Sequence, residues 1–114
     1  DAAALAAIAA LKDARFPEYD AKNGTVNYEK RTNKGLPLTK TPILVTVLKI
    51  KNRYYVDPNS NEAESLDARL SIATLENGVI CAVQKGGDEA LRIEDIERMI
   101  DIATEHATRL RKLL

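Results

Sequence analysis

The chain has 114 residues, with 17 Lys or Arg balanced by 17 Asp or Glu, so its formal net charge is zero. Apolar residues make up 45% and charged residues 30%, which supports a core and a solvated surface in one domain and excludes disorder throughout. Zero net charge excludes a uniformly basic nucleic-acid binder, and a chain with no Trp and a single Phe, Phe16, supplies little for an aromatic base-stacking platform.

The lone Cys81 has no internal disulfide partner, which fits a reducing, cytoplasmic setting. No apolar run approaches the roughly 20 residues of a membrane span, so no membrane partner is expected. The longest run, Ala2 to Leu11, lacks the preceding basic flank of a signal peptide. The chain opens on Asp1 and its single methionine is Met99, which implies a processed protein or a piece of a longer one. Residues 1–55 carry ten Lys or Arg against five Asp or Glu, while residues 56–114 carry seven against twelve. That split fits a solvated surface or two faces that meet different partners.

In chain order, Asp1 is a candidate N-cap for an alanine-rich helix over Ala2–Ala14, with Leu5, Ile8 and Leu11 at three-residue spacing. Pro17 is expected to stop it. Glu18–Lys40 is polar and broken by Asn23-Gly24 and Lys34-Gly35, so it reads as an exposed connection able to hold a weak hairpin. Ile43–Ile50 is rich in β-branched residues and apolar on both alternating faces, the pattern of a strand covered on both sides. Lys51-Asn52 reads as a tight turn into a strand over Arg53-Tyr54-Tyr55-Val56.

Asp57-Pro58 suggests an N-cap and first helical proline for a short helix through Ser65. Ala68–Leu75 and Val79–Gln84 flank Asn77-Gly78, a strong hairpin signal. A two-residue turn there pairs Ile72 with Val83, Ala73 with Ala82, and Leu75 with Ile80. The final helix carries one apolar stripe through Ile93, Ile96, Ile100, Ala103, Ala107, Leu110 and Leu114. Its acids Glu94, Asp95 and Glu97 and its bases Arg109, Arg111 and Lys112 suit the helix dipole. The predicted fold is α+β: a four-stranded antiparallel sheet between helical layers, with the alanine-rich or the short middle helix covering the second face.

Chemistry is sparse. His106 is the sole histidine and reads as a solvated helix-flank residue; with Cys81, read as core filler, it falls short of a zinc ligand set. Lys85-Gly86-Gly87 lacks the spacing of a phosphate loop and reads as an αL or flexible hinge. Lys30-Arg31-Thr32-Asn33-Lys34 reads as a basic solvated loop with some capacity for phosphate contact. The acids Glu62, Glu64 and Asp67 form the one cluster where general-acid or divalent-ion chemistry is conceivable. Arg69 shares a strand face with Asp67 two residues away, which predicts an ion pair or two solvated rim residues.

Several segments in order carry a resemblance: Asp1-Ala-Ala-Ala-Leu-Ala-Ala-Ile-Ala-Ala-Leu, Leu36-Pro-Leu-Thr-Lys-Thr-Pro-Ile-Leu-Val-Thr-Val, Val56-Asp-Pro, Glu64-Ser-Leu-Asp-Ala-Arg-Leu-Ser-Ile-Ala-Thr, and Gln84-Lys-Gly-Gly. Together they resemble the second half of an RNase PH-like ring subunit of the archaeal exosome, across nearly the whole chain. The resemblance implies an RNase PH second domain over 36–114, with 1–35 as helix and connection from the end of the first domain. It implies a role in phosphorolytic 3′→5′ RNA degradation and processing, with inorganic phosphate as the complex's co-substrate and no cofactor or metal in this chain.

Active members of that family carry two carboxylates six residues apart, the second opening an Asp-apolar-x-apolar strand. Matching that strand to Arg69-Leu70-Ser71-Ile72 puts Arg69 and Ala63 at those positions, so both acids are missing. The resemblance therefore implies a non-catalytic subunit that shapes its partner's active site and helps hold RNA. Its expected partners are a catalytic RNase PH-like subunit, in heterodimers that form a hexameric ring, RNA-binding cap subunits, and RNA. Two alternatives stand beside it. One is an active phosphorolytic nuclease in which a slip or bulge brings Asp67 into the catalytic place; the other is a free-standing RNA-binding or scaffold domain.

Overall fold

The β-branched run Ile43–Ile50 is a strand over its whole length and forms the centre of the molecule. In chain order the computed structural model, which describes residues 1–114, has α1 (Ala2–Asp13), β1 (Arg15–Asp20), β2 (Thr25–Gly35), β3 (Ile43–Ile50), β4 (Arg53–Val56), α2 (Ser60–Glu64), β5 (Ala68–Thr74), β6 (Ile80–Gly86) and α3 (Ile93–Arg111). Four strands form one antiparallel sheet in the order β4-β3-β5-β6, and β1 with β2 forms a separate two-stranded ribbon.

Alternation along the strands sends Ile43, Val45 and Val47 of β3, and Leu70 and Ile72 of β5, toward α3. There they close a buried cluster with Met99, Ala103 and Ala107. Val45 opposes Ile72 and Val47 opposes Leu70, pairs in direct side-chain contact. The buried line on α3 is Asp95, Met99, Ala103 and Ala107, one residue per turn. This is rotated from the stripe read in the sequence: Ile93 is 73% exposed, whereas Met99 is fully buried. Ile96, Ile100 and Leu110 flank the cluster, half-buried.

On the second face the Thr46 and Ser71 hydroxyls share a hydrogen bond of 2.8 Å, beside the buried Leu48 and Ala73. The start of α1, the Asp57-Pro58 segment and α2 stand over this face around Thr46, Leu48 and Arg69. α3 packs over β3 and β5, and Ile80 and Val83 of β6 are exposed. Cys81, expected in the core, is the extra residue of the bulge between Ile80 and Ala82 and is exposed as well.

Local chemistry corrects four boundaries. α1 ends at Asp13, well before Pro17, because the Arg15 guanidinium donates to the carbonyls of Lys12, Asp13 and Ala14 at 3.0, 2.7 and 3.0 Å, satisfying the last free acceptors. Pro17 lies inside β1, where the β1–β2 register shifts on either side of it. The Asp1 side chain does not cap α1; it accepts from the Thr46 amide at 2.8 Å. α2 is capped by Asn59 rather than Asp57: Asn59 Oδ1 accepts from Glu62 N at 3.0 Å and Glu62 returns the bond at 2.9 Å. This reciprocal box outcompetes the Asp57-Pro58 start, and Asp57 adopts φ 56° ahead of it.

The β5–β6 hairpin keeps the expected pairs Ile72–Val83 and Ala73–Ala82 but not Leu75–Ile80. A bulge after Ala73 places Thr74 opposite Ile80. The exposed stretch after α1 does hold a hairpin, a long one, and the basic run 30–34, read as a loop, lies within strand β2. Its two strands pack on each other, and the molecule extends 63 × 30 × 22 Å with a radius of gyration of 18.9 Å. A compact chain of this length would have a radius of about 13 Å.

The rotation of α3 is testable by chemical denaturation. Met99→Ala is expected to cost about 2–5 kcal/mol, while Ile93→Ala stays within about 0.5 kcal/mol of the parent.

Candidate functional site

Arg69 opens the solvent-facing side of β5 and stands opposite Leu48 of β3 and Gly86 of β6. With Thr46 and Leu48 it lines a groove of about 450 Å³, walled by Asp1 and Ala2 on one side and by Asp57, Pro58, Ala63 and Leu66 on the other. The two residues that the family resemblance singled out, Ala63 and Arg69, are therefore brought together. Ala63 contributes only a methyl group, and a guanidinium remains protonated throughout the physiological range, so neither donates a proton as a general acid.

Asp67 is directed elsewhere. Its Oδ2 accepts from the Lys51 amide in the β3–β4 turn, and its backbone N–H donates to the Lys49 carbonyl at 3.0 Å. The β3–β5 ladder runs without a shift from Lys49–Ala68 to Ile43–Thr74, so no bulge slides Asp67 into the place of Arg69. The expected Asp67–Arg69 ion pair does not form, because the Lys51 amide takes the carboxylate. Glu62 is turned into the α2 cap and Glu64 is exposed, so the three acids serve three different places.

The glycines after β6 explain how Arg69 fits. A Cβ on Gly86 would lie 2.5 Å from Arg69 Nε, so the bare backbone lets the side chain cross β6. Gly87 has φ +83°, and a Cβ there would meet the Asp67 carbonyl oxygen at 2.7 Å and Ala68 Cα at 2.8 Å. The αL turn read at Lys85-Gly86-Gly87 is thus present, with its backbone packed against β5. Lys85 Nζ donates to the Gly87 carbonyl at 2.6 Å. His106 lies half-buried on α3.

The most strongly perturbed acid is one that the sequence reading assigned only to the helix dipole. Asp95 Oδ1 accepts from the Tyr54 hydroxyl at 2.7 Å, and Oδ2 accepts from Lys49 Nζ at 2.5 Å and from the Arg92 amide at 3.1 Å. The Lys49 hydrogen bond, then those of Tyr54 and Arg92, hold its pKa down from 3.8 to about 2, against a smaller opposing effect of burial. The same contact raises the Tyr54 phenol. The signal was present: Asp95 begins the one-per-turn series with Met99, Ala103 and Ala107, and Lys49 continues the helix-facing series Ile43, Val45, Val47.

Two measurements check these contacts. A depressed carboxylate stabilises the fold above its unfolded pKa, and that stability is lost as pH falls through the folded value. Denaturant midpoints should therefore fall as pH drops from about 4 to about 2, and Asp95→Asn should flatten that dependence; equal slopes would remove the assignment. Gly87→Ala should lower stability by more than about 1 kcal/mol in thermal unfolding, and by more than Gly78→Ala, where φ is +80° but no atom lies within 4 Å.

With this geometry in hand, comparison with known proteins identifies the architecture. A family model described as the 3′ exoribonuclease family, domain 2, matches residues 40–106. The exosome complex component Rrp42 of Methanothermobacter thermautotrophicus is 38% identical over 110 residues, covering 96% of this chain and 41% of its own length. The Rrp42 component of Thermococcus gammatolerans is 41% identical over 120 residues, covering 100% of this chain and 42% of its own. A chain of an archaeal exosome core superimposes with a TM-score of 0.81 at 33% identity, covering 98% of this chain and 42% of that one. A chain of an Archaeoglobus fulgidus exosome with RNA bound to the active site gives 0.79 at 33% identity, with 98% and 41% covered. The chain spans about two fifths of the length of these relatives. With its four-stranded antiparallel sheet and long C-terminal helix, the chain belongs to the 3′ exoribonuclease family, and residues 40–106 are its domain 2.

Proposed function

We propose that this chain is the second-domain part of a non-catalytic ring subunit in an archaeal exosome, a phosphorolytic 3′→5′ exoribonuclease complex that degrades and processes RNA. Residues 36–114 are the second domain, and residues 1–35 are the helix and connection that follow the first. The subunit pairs with a catalytic RNase PH-like subunit in a hexameric ring, structures the active site of that partner, helps hold RNA and meets RNA-binding cap subunits. Inorganic phosphate is the co-substrate of the complex and this chain contributes no cofactor. The setting is cytoplasmic; no helix is long and apolar enough to cross a membrane.

The observation that carries this reading is the shared groove of Ala63 and Arg69. The family resemblance read in the sequence implies that these two positions hold the carboxylates of active members. Phosphorolysis of an RNA end needs a proton for the departing ribose oxygen, and a methyl group beside a permanent cation supplies none. Asp67, the fallback acid of the sequence reading, is committed to the Lys51 amide, and of the two acids that wall the groove Asp1 accepts from the Thr46 amide. The names of the matched relatives, exosome components, agree with this reading.

The test uses the full subunit reconstituted with its catalytic partner. Asp67→Asn keeps an acceptor for Lys51 and should leave phosphate-dependent release of nucleoside diphosphates within about twofold of the parent, a change too small for a lost proton donor. Near-complete loss of release, with the ring still assembled, would instead assign the chemistry to Asp67.

A further inference from the structure

Three of the five aromatic side chains, Phe16, Tyr19 and Tyr28, lie in the β1–β2 ribbon. All three are exposed, Tyr28 at 73% and Tyr19 at 62%. The ribbon nevertheless has an apolar side: Tyr19 opposes Val26 in the register, and both line a hollow of about 500 Å³ with Phe16, Pro17, Thr32 and Lys34. Asn27, opposite Glu18, lies on the other face.

A two-stranded ribbon is at best marginally stable alone in water, and a cluster of exposed aromatics marks a surface that another body covers. Nothing in residues 36–114 covers it. We infer that this aromatic face is the seat of the domain that precedes this chain in the full-length subunit. The inference rests on the reading above that the chain is the later part of a longer protein.

Two observations select that occupant. The family model for domain 2 matches residues 40–106, so the ribbon lies ahead of the matched region in sequence, on the side where a first domain joins. The matched relatives carry about three fifths of their length outside the region shared with this chain, enough for a further domain. A nucleic-acid occupant is disfavoured because the one cation that lines the hollow, Lys34, already sits 5.7 Å from the centre of the Phe16 ring.

The experiment uses the full-length subunit by itself, with no other subunit and no RNA. Hydroxyl-radical footprinting should find Phe16 and Tyr19 shielded. Amide exchange across residues 16–34 should be slower by about tenfold or more than in a Tyr19→Lys variant, while Asn27→Lys on the polar face leaves it unchanged. A Tyr19 in the isolated subunit that reacts like free tyrosine overturns the inference, and this reading of the unaltered protein stands even if Tyr19→Lys fails to fold. Shielding that arises only on adding the catalytic subunit, or only on adding RNA, also overturns it, as does a natural protein with no domain ahead of Asp1. Shielded tyrosines in a subunit that never enters an active ring would overturn the exosome reading and leave this inference standing.

Discussion

Asp95 sets the geometry on which the rest of the domain depends. One carboxylate receives a lysine from β3, a tyrosine from β4 and the backbone amide that precedes α3. It thereby ties the start of the long helix to the β3–β4 hairpin, and it does so in a partly dry place where a charge without partners would be costly. Because the acid is fixed, the helix can turn only one set of residues inward. Met99, Ala103 and Ala107 follow at one turn each, and the two alanines bring the helix backbone close to the β3–β5 ladder. The hydrophobic core supplies most of the stability, but its composition on the helix side is decided by this polar contact.

The opposite face of the sheet is organised by a different constraint, the crossing of Arg69 over a glycine. A long cationic side chain can lie across β6 only because Gly86 offers bare backbone, and Gly87 then folds tightly against β5. The result is a groove floored by a cation and a threonine. The proposed silent role follows from what occupies it. Its floor holds a guanidinium that cannot release a proton at neutral pH, while Asp67 accepts from the Lys51 amide in a turn.

Much of the domain was legible in the sequence because its strands announce themselves through β-branched runs and its turns through glycine and asparagine. Ile43–Ile50 was read to the residue, and the Ile72–Val83 and Ala73–Ala82 pairs followed from Asn77-Gly78. The failures have physical causes. The helix stripe was misplaced because periodicity weighs apolar residues alone, and the residue that orients α3 is an aspartate. Cys81 was read as buried because its neighbours are apolar, yet it falls in a bulge of the edge strand β6, a placement that local sequence does not encode. The amphipathic ribbon was missed because its aromatic positions are diluted by charged neighbours. Within the groove, the pairing of Ala63 with Arg69 was implied by the family resemblance, whereas the diversion of Asp67 to Lys51 depends on a backbone amide that no pattern of side chains reveals.

The bond from Asp1 to the Thr46 amide bears on how this protein avoids aggregation. Ile43–Leu48 is uncharged and rich in β-branched residues, the composition of segments that stack into fibrils. β5 closes one edge of β3 along its length, but β4 covers the other edge only from Val47 onward. The remaining backbone of β3 would be an open template for a strand from another molecule. α1, held there through Asp1, occupies that stretch. A helix that buries none of its own residues fully thus acts as a guard, keeping the most aggregation-prone strand of the chain from recruiting its own kind.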